Sequence, residues 1–260
     1  PWGHGNAKMH TKDFEKEVLE KIATLYGIKD DYWGYITSGG TEGNLYGMYL
    51  SREFFARKKT STVFLYSCAS HYSIAKNAHL LGLNTQEVNQ QASGEMDYEH
   101  LEQILNKLSK QDSDMPSLII NLNLGTTMKG AIDDISSIKK LLDRLNISSE
   151  KVLIHADAAL MGLIYPFLAD AEDLFAAGVT SLALSGHKFL GAIHPCGIVL
   201  TRKTLHHASF NEKWVDYVGS QDSTISGSRN GFLALNLWYL LHVKGIDGYR
   251  QEALDCIGNA

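Results

Sequence analysis

Residues 152–191 read VLIHADAALMGLIYPFLADAEDLFAAGVTSLALSGHKFLG and contain two short apolar runs. The first run ends at Asp157, and the second ends at Ser185, three residues before Lys188. Apolar runs that alternate with longer helical segments are typical of βαβ units in a mostly parallel sheet. Open sheets of this kind place ligands at the carboxyl ends of their strands. Asp157 and Lys188 are therefore expected to lie near each other at that edge.

The same alternation continues along the chain and predicts an α/β fold, a mostly parallel seven-stranded sheet flanked by helices. The predicted strands cover residues 34–37, 62–67, 85–88, 117–122, 152–157, 181–185 and 197–201. Amphipathic helices should follow Asp97 and Asp134, which are suitable N-caps. Residues 210–228 show no clear period, and the leucines at 233, 237 and 241 mark a final helix. With no repeat or linker, residues 1–260 are predicted to form one domain.

Composition favours small-molecule chemistry. The chain has 260 residues, 44% of them hydrophobic, and a net charge of -5 with both signs scattered. This pattern predicts neither nucleic acid nor an anionic membrane surface as a partner. No apolar run approaches the roughly 20 residues of a membrane span. Three widely spaced cysteines without a C-x-x-C pair suit a reducing cytoplasm, whereas Pro1 leaves a processed or truncated start open.

The stretch SGGTEGN, residues 38–44, follows a predicted strand and opens a predicted helix. Free N–H groups at a helix start suit a phosphate, and Gly40 and Thr41 are the candidate donors. A tight turn in which Thr41 is the N-cap explains the stretch equally well. Neither G-x-x-x-x-G-K-[ST] nor G-x-G-x-x-G is matched, so no nucleotide fingerprint is present.

Two further motifs follow apolar strands. In HADAA, residues 155–159, Asp157 could hold a protonated pyridine nitrogen, or it could be a turn or cap residue. A metal site with His155 lacks a third ligand nearby, and no metal is predicted.

In SGHKFLG, residues 185–191, a lysine with reduced solvation and cationic neighbours could form a Schiff base with an aldehyde. The alternative for Lys188 is an ordinary surface lysine.

His71 lies in SCASHYSIAKNA, after the second predicted strand. An imidazole at a helix start could stack on an aromatic cofactor, although a structural histidine is the more common case. The remaining histidines, including His206 and His207, lack the spacing of metal ligands and are interpreted as surface or packing residues.

An extended set of motifs carries a resemblance to a known family. The motifs are FEKEVLEKIATLYGI, DYWGYITSGGTEGNLYG, SHYSIAKNA, SGEMDY, LGTTMKGAIDDI, HADAALMGLIYPF, SGHKFLGAIHPCGIVLTRK and TISGSRNG. Together they resemble the group II family of pyridoxal-5′-phosphate-dependent amino-acid decarboxylases, most closely its bacterial histidine and plant serine decarboxylase branch. The resemblance implies the large domain of the fold type I, PLP-dependent transferase-like architecture, and it implies histidine as the first choice of substrate.

The resemblance implies roles for single residues. Lys188 would carry the cofactor as a Schiff base and Asp157 would pair with its ring nitrogen. His71 would stack on the ring beside the substrate carboxylate, which makes Lys188, His71 and Asp157 the catalytic candidates. Ala159 would pack on the other face of the ring, and Thr127 would approach the ring hydroxyl. The residues that would hold the phosphate are Gly40, Thr41, Ser185 and His187.

The resemblance also implies a homodimer in which residues 226–229 reach the partner's cofactor. From the same resemblance, the chain is expected to lack the family's N-terminal arm and small C-terminal domain. It also lacks the loop tyrosine of the animal aromatic amino-acid decarboxylases, so Tyr217 is only a weak candidate for the proton donor. Three alternatives stay open: another amino-acid substrate such as serine, an aminotransferase or cysteine desulfurase of the same fold, and a non-catalytic scaffold subunit.

Overall fold

The protein was analysed as a computed structural model that describes residues 10–111, 115–210, 214–216 and 219–259. The helices are α1 Lys12–Leu25, α2 Gly40–Lys58, α3 Tyr72–Leu80, α4 Tyr98–Gln111, α5 Ile135–Arg144, α6 Leu174–Ala177, α7 Lys203–Ser209, α8 Gly231–Val243 and α9 Gly245–Gly258. The strands are β1 Trp33–Thr37, β2 Thr62–Ser67, β3 Asn84–Val88, β4 Ser117–Asn123, β5 Val152–Asp157, β6 Val179–Ser185, β7 Gly197–Thr201, β8 Trp214–Val215 and β9 Ser220–Gln221.

Strands β1 to β7 form one sheet in the order β1-β7-β6-β5-β4-β2-β3. Strand β7 runs antiparallel to both of its neighbours, and every other pair in this sheet is parallel. The interior strand β4 is buried at every position because helices cover both faces of the sheet. The predicted seven-stranded, mostly parallel α/β fold is confirmed, and the predicted strand ends lie within two residues of the observed ones.

Two of the predicted helix caps are confirmed. Asp97 accepts hydrogen bonds from the backbone N–H groups of Glu99 and His100 at 3.0 Å. Asp134 accepts one from Ser136 at 2.9 Å. The alternative in which Thr41 caps α2 is wrong, because the N-cap is Gly39 and no side chain caps this helix. The N–H groups of the first turn of α2 therefore remain available to a ligand.

The chain after β7 differs from the prediction in two ways. Part of the segment without a clear period forms the two-stranded sheet of β8 and β9. The helix that carries Leu237 is α8, and it is not the final one, since α9 follows it. Gly245 begins α9 directly after α8 with φ of +71°, a backbone conformation that breaks the helical path and that glycine adopts without steric cost.

Helix α2 approaches the sheet closely, which fixes where its first turn lies. A Cβ atom added to Gly43 would lie 2.9 Å from the Cβ of Ala183 on β6. One added to Gly47 would lie 2.2 Å from Nδ1 of His155 on β5. These two glycines therefore let α2 pack directly on β5 and β6, so its N-terminus faces the carboxyl ends of those strands. Within the described ranges, no helix is long and apolar enough to cross a membrane.

Candidate active site

A cavity of about 310 Å³ opens at the carboxyl edge of the parallel strands. Its lining includes every residue that the sequence proposes for the site: Gly40, Thr41, His71, Thr127, Asp157, Ala159, Ser185, His187 and Lys188. They come from the chain that follows β1, β2, β4, β5 and β6, strands that run in the same direction. The topology of the sheet therefore gathers residues that are far apart in sequence, as expected for an open α/β fold.

The first turn of α2 and Ser185 form one end of the cavity. A Cβ atom added to Gly40 would lie 2.8 Å from Oγ of Ser185 and 3.2 Å from the Cβ of Ala159. Only glycine therefore fits here without a shift of its neighbours. The uncapped N–H groups at Gly40 and Thr41, together with the Ser185 hydroxyl, suit the phosphate of a pyridoxal cofactor.

Asp157 ends β5 and is only 6% exposed. Its Oδ1 accepts a hydrogen bond from the backbone N–H of Ala159 at 3.2 Å, and the Asn44 side chain lies close to this carboxyl group. Burial raises the pKa of Asp157, and these two neighbours act in the opposite direction. Among the described residues, no basic side chain forms an ion pair with it. A protonated ring nitrogen would supply the missing positive charge, so the site fits the cofactor.

Lys188 lies in the turn after β6, where its carbonyl accepts a hydrogen bond from the N–H of Gly191 at 3.0 Å. The expectation of reduced solvation is wrong for this chain, because Lys188 is exposed at the mouth of the cavity. Lys188 lines the same cavity as His71 and Asp157. Its role as the Schiff-base lysine stays a prediction.

His71 is the N-cap of α3, where its Nδ1 accepts a hydrogen bond from the backbone N–H of Ser73 at 3.3 Å. The ring is half-buried, and burial lowers its pKa from 6.5, with the nearby Asp157 carboxylate acting in the opposite direction. A neutral imidazole whose Nδ1 accepts carries its proton on Nε2. His71 can therefore offer an N–H donor without bringing a full positive charge into the cavity.

The two threonines of LGTTMKG behave differently. Oγ1 of Thr126 accepts from the N–H of Ala131 at 3.1 Å, which ties this buried residue into its own turn. Thr127 is exposed and lines the cavity. The geometry thus leaves Thr127 available to a ligand, as the resemblance implies. His187 also lines the cavity, and its Nδ1 lies 2.9 Å from the carbonyl oxygen of Cys196.

Sequence reasoning missed several residues that line the cavity: Ser38, Glu42, Asn44, Ser73, Asn123, Gly125, Thr126, Leu160 and Pro195. Asn44 is the most important of them because it lies close to Asp157 and opposes the effect of burial on the pKa of that carboxyl group. A signal for it existed. Asn44 lies four residues after Gly40, and residues spaced by three or four share one face of a helix. Asn123 could have been found as well, since it ends β4 at the same edge as Asp157.

Both ring nitrogens of His155 have side-chain partners. It is fully buried, and its two ring nitrogens lie 2.8 Å from Oγ of Ser181 and 2.9 Å from Oδ1 of Asn44. Burial lowers the pKa of His155 to about 3. The described part of the chain contains no cluster of three or more His, Cys, Asp or Glu side chains that could hold a metal ion.

His206 and His207 fit the surface-or-packing interpretation. His206 is buried and stacks on Trp33 with ring centroids 3.9 Å apart, whereas His207 is exposed. Tyr217, the weak candidate for the proton donor, lies outside the described residues.

The loop before α8 is held by contacts within this chain. Arg229 forms a partly buried ion pair with Glu15 on α1, in which Nη2 lies 3.0 Å from Oε2. Oγ of Ser226 donates to Glu42 at 3.2 Å. These contacts place the loop beside the start of α2. Whether residues 226–229 reach a partner's cofactor stays a prediction.

Comparison with known proteins identifies relatives. The family model described as the pyridoxal-dependent decarboxylase conserved domain matches residues 10–260. A histidine decarboxylase of Solanum lycopersicum is 43% identical over 100% of this chain and 61% of that protein. Serine decarboxylase 2 of Oryza sativa subsp. japonica is 41% identical over 100% of this chain and 54% of that protein. The chain thus spans little more than half the length of these curated relatives.

Among solved structures, an L-methionine decarboxylase from Streptomyces sp. 590 superposes with a TM-score of 0.82 at 26% identity. The match covers 95% of this chain and 66% of that one. The sheet, its helices and the edge that bears the cavity therefore correspond to a fold already seen in an amino-acid decarboxylase.

Proposed function

This chain belongs to the pyridoxal-dependent decarboxylase family, and on that premise we propose that it forms the cofactor-binding large domain of an enzyme that decarboxylates an L-amino acid. One observation carries the proposal: a buried carboxylate, Asp157, and a lysine, Lys188, face the same cavity as the uncapped start of α2. When bound, pyridoxal 5′-phosphate supplies an electron sink for the pair of electrons that carbon dioxide leaves behind.

The chain's own residues bind and orient. Gly40, Thr41, Ser185 and His187 would hold the phosphate, and Ala159 and His71 would pack against the ring. Thr127 would contact the ring hydroxyl. Asp157 would pair with the protonated ring nitrogen, and this ion pair would keep the ring electron-poor.

Lys188 and His71 act on the reacting atoms. The ε-amino group of Lys188 would hold the cofactor. Nε2–H of His71 would donate to the substrate carboxylate and hold that group in position. Replacement of the carboxyl group by hydrogen also needs a proton at Cα.

Histidine is the proposed substrate, with serine second. The histidine decarboxylase of Solanum lycopersicum and serine decarboxylase 2 of Oryza sativa are 43% and 41% identical to the chain, so identity favours histidine only slightly. The motifs GEMDY, GAIDDI and HADAAL add to that preference. A screen of amino acids that measures released carbon dioxide and identifies the amine separates the two substrates.

The assembly and the compartment are part of the proposal. We place the protein in the cytoplasm, since Cys68, Cys196 and Cys256 are free thiols that suit a reducing environment. We also propose a homodimer with the active site at the subunit boundary. An aminotransferase of the same fold would release a keto acid, and a scaffold subunit would release nothing, so product analysis separates these alternatives from decarboxylation.

Replacement of Lys188 tests the proposal. In the cofactor-loaded protein, Lys188→Ala should abolish the visible absorbance of the bound cofactor and lower turnover by at least about a thousandfold, the scale of losing an essential nucleophile. Lys203→Ala, at an exposed position on α7, is the matched control and should behave as wild type. Wild-type turnover and absorbance in Lys188→Ala would refute the proposal.

A further inference from the structure

Asp157 stands at the end of a chain of buried hydrogen bonds that reaches across the sheet. Asn44 on α2 lies beside its carboxyl group: both residues line the cavity, and the preceding Gly43 packs on Ala183, the partner of Asp157 in the sheet. Oδ1 of Asn44 lies 2.9 Å from Nε2 of His155, and Nδ1 of His155 lies 2.8 Å from Oγ of Ser181. His155 and Ser181 are fully buried and Asn44 is 1% exposed. No water competes for these bonds, so each group must satisfy its neighbour.

The Asp157 carboxylate at one end fixes which group donates and which accepts in each of these hydrogen bonds. An ionised carboxylate only accepts, so the Asn44 amide must point its N–H toward Asp157 and its oxygen toward His155. That oxygen requires a proton on Nε2 of His155. Nδ1 is then an acceptor and receives the hydroxyl proton of Ser181. The opposite arrangement would set the Asn44 oxygen against a carboxylate oxygen.

We propose that Asn44 and His155 are positioning residues that hold the Asp157 carboxylate ionised and aimed at the cofactor's ring nitrogen. The ring of His155 fits because Gly47 leaves room for it, since a Cβ there would lie 2.2 Å from Nδ1. The proposal rests on the proposed function, as it assigns these two residues to the same site. Neither touches the reacting atoms, so each acts through Asp157.

The direction of these hydrogen bonds predicts which ring nitrogen of His155 carries the proton. In Asp157→Asn, the new amide can keep its oxygen on the N–H of Ala159 and turn its N–H₂ toward Asn44. The Asn44 amide then turns over, its N–H₂ donates to Nε2 of His155, and the proton of His155 moves to Nδ1, from which it donates to Ser181. Every hydrogen bond survives, but the three bonds that connect residue 157, Asn44, His155 and Ser181 each run in the opposite direction.

Nitrogen NMR of histidine-labelled protein, loaded with pyridoxal 5′-phosphate, reads this proton directly. The wild type should show His155 neutral with the proton on Nε2, and Asp157→Asn should show it on Nδ1. The His155→Gln spectrum identifies the signal by its loss. The same tautomer in both proteins would overturn the proposal.

Steady-state kinetics give a second test that does not depend on Asp157→Asn being folded. His155→Leu and Asn44→Leu should each lower kcat about tenfold, the lower range for loss of an outer hydrogen-bond partner, with little change in KM. His155→Gln keeps an N–H for Asn44 and should recover most of the kcat lost in His155→Leu. Equal losses in the Gln and Leu variants would contradict the positioning role.

The two proposals fail in different ways. If the wild type releases neither amine nor carbon dioxide from any amino acid, the proposed function fails, whereas the tautomer comparison still decides whether the chain of hydrogen bonds is directional. If the wild type is active but the tautomer does not change, only the positioning role is lost.

Discussion

Two buried carboxylates lie near the same edge of the sheet, but they differ in how many short hydrogen bonds the protein donates to them. Asp133, 2% exposed, accepts from the N–H of Met96 and the N–H of Asn123 at 2.7 Å and from Nδ2 of Asn123 at 2.8 Å. Asp157, 6% exposed, has the N–H of Ala159 at 3.2 Å and the Asn44 side chain. Burial raises the pKa of both groups.

The difference shows how burial alone fails to identify a functional acid. Three short hydrogen bonds hold Asp133, and these bonds connect the end of β4 to the chain around Met96. Asp157 lines the cavity with capacity left for a cation. A carboxylate that is satisfied by the protein is structural, whereas one that still needs a positive charge is suited to hold a ligand.

The largest expected effect is the loss of turnover when Asp157, the carboxylate with fewer short hydrogen bonds, is replaced. Asp157→Asn should lower kcat by about 10² to 10³, the cost of losing one preorganised electrostatic contact, because a neutral amide does not pair with a protonated ring nitrogen. Steady-state rates of the cofactor-loaded protein give the measurement. Asp170→Asn, at an exposed position, is the control with the same change in charge. Normal turnover of Asp157→Asn would show that the Asp157 carboxylate does not have the functional role assigned to it.

The next largest effect is the loss of stability when Asp133, the carboxylate with three short hydrogen bonds, is replaced. Asp133→Ala leaves the N–H groups of Met96 and Asn123 buried without their acceptor, so the free energy of unfolding should fall by about 3 kcal/mol. Denaturant unfolding measures it.

The neighbouring acid provides a control. Asp134→Ala removes the N-cap of α5 and should cost about 1 kcal/mol. If Asp133→Ala proved no more destabilising than Asp134→Ala, Asp133 would not have the structural role assigned to it.

The smallest effect concerns the imidazole behind Asp157, for which Asp133 has no counterpart. The pKa of His155 is about 3 in the folded protein and near 6.5 when unfolded. Between these values only the unfolded state takes up this proton, so stability is lost as the pH falls from 6.5 toward 3. His155 should contribute up to about 1.4 kcal/mol per pH unit to that loss.

Denaturant unfolding at a series of pH values tests this contribution. His155→Gln should show a shallower loss of stability on the acid side than the wild type. His207→Gln, at an exposed position, should show the wild-type slope. Indistinguishable slopes in all three proteins would mean that His155 is not kept neutral by burial.

Much of the fold follows from local sequence. Strand β5 and the run that ends at Ser185 are apolar and bounded by polar or turn residues, so their positions could be predicted closely. The shared edge of the site then followed from parallel topology alone. The break between α8 and α9 was missed because α8 is apolar on all sides and Gly245 is only one residue in a continuous helical pattern.

What the sequence did not predict depends on packing between distant elements. Asn44 contacts Asp157 because two glycines let α2 lie close to β5, and no local pattern encodes that distance. The solvent exposure of Lys188 is another case, since it depends on which surfaces cover the mouth of the cavity. Residue type and spacing predicted the cavity, but they did not predict how each group is solvated.

Chemical trapping of the cofactor tests the central claim most directly. Protein saturated with pyridoxal 5′-phosphate is reduced with borohydride, digested and mapped by mass spectrometry. The account predicts a pyridoxyl group on the peptide that contains Lys188, at full occupancy in Asp133→Ala as in the wild type. An unmodified Lys188, or a pyridoxyl group on a different lysine, would contradict it.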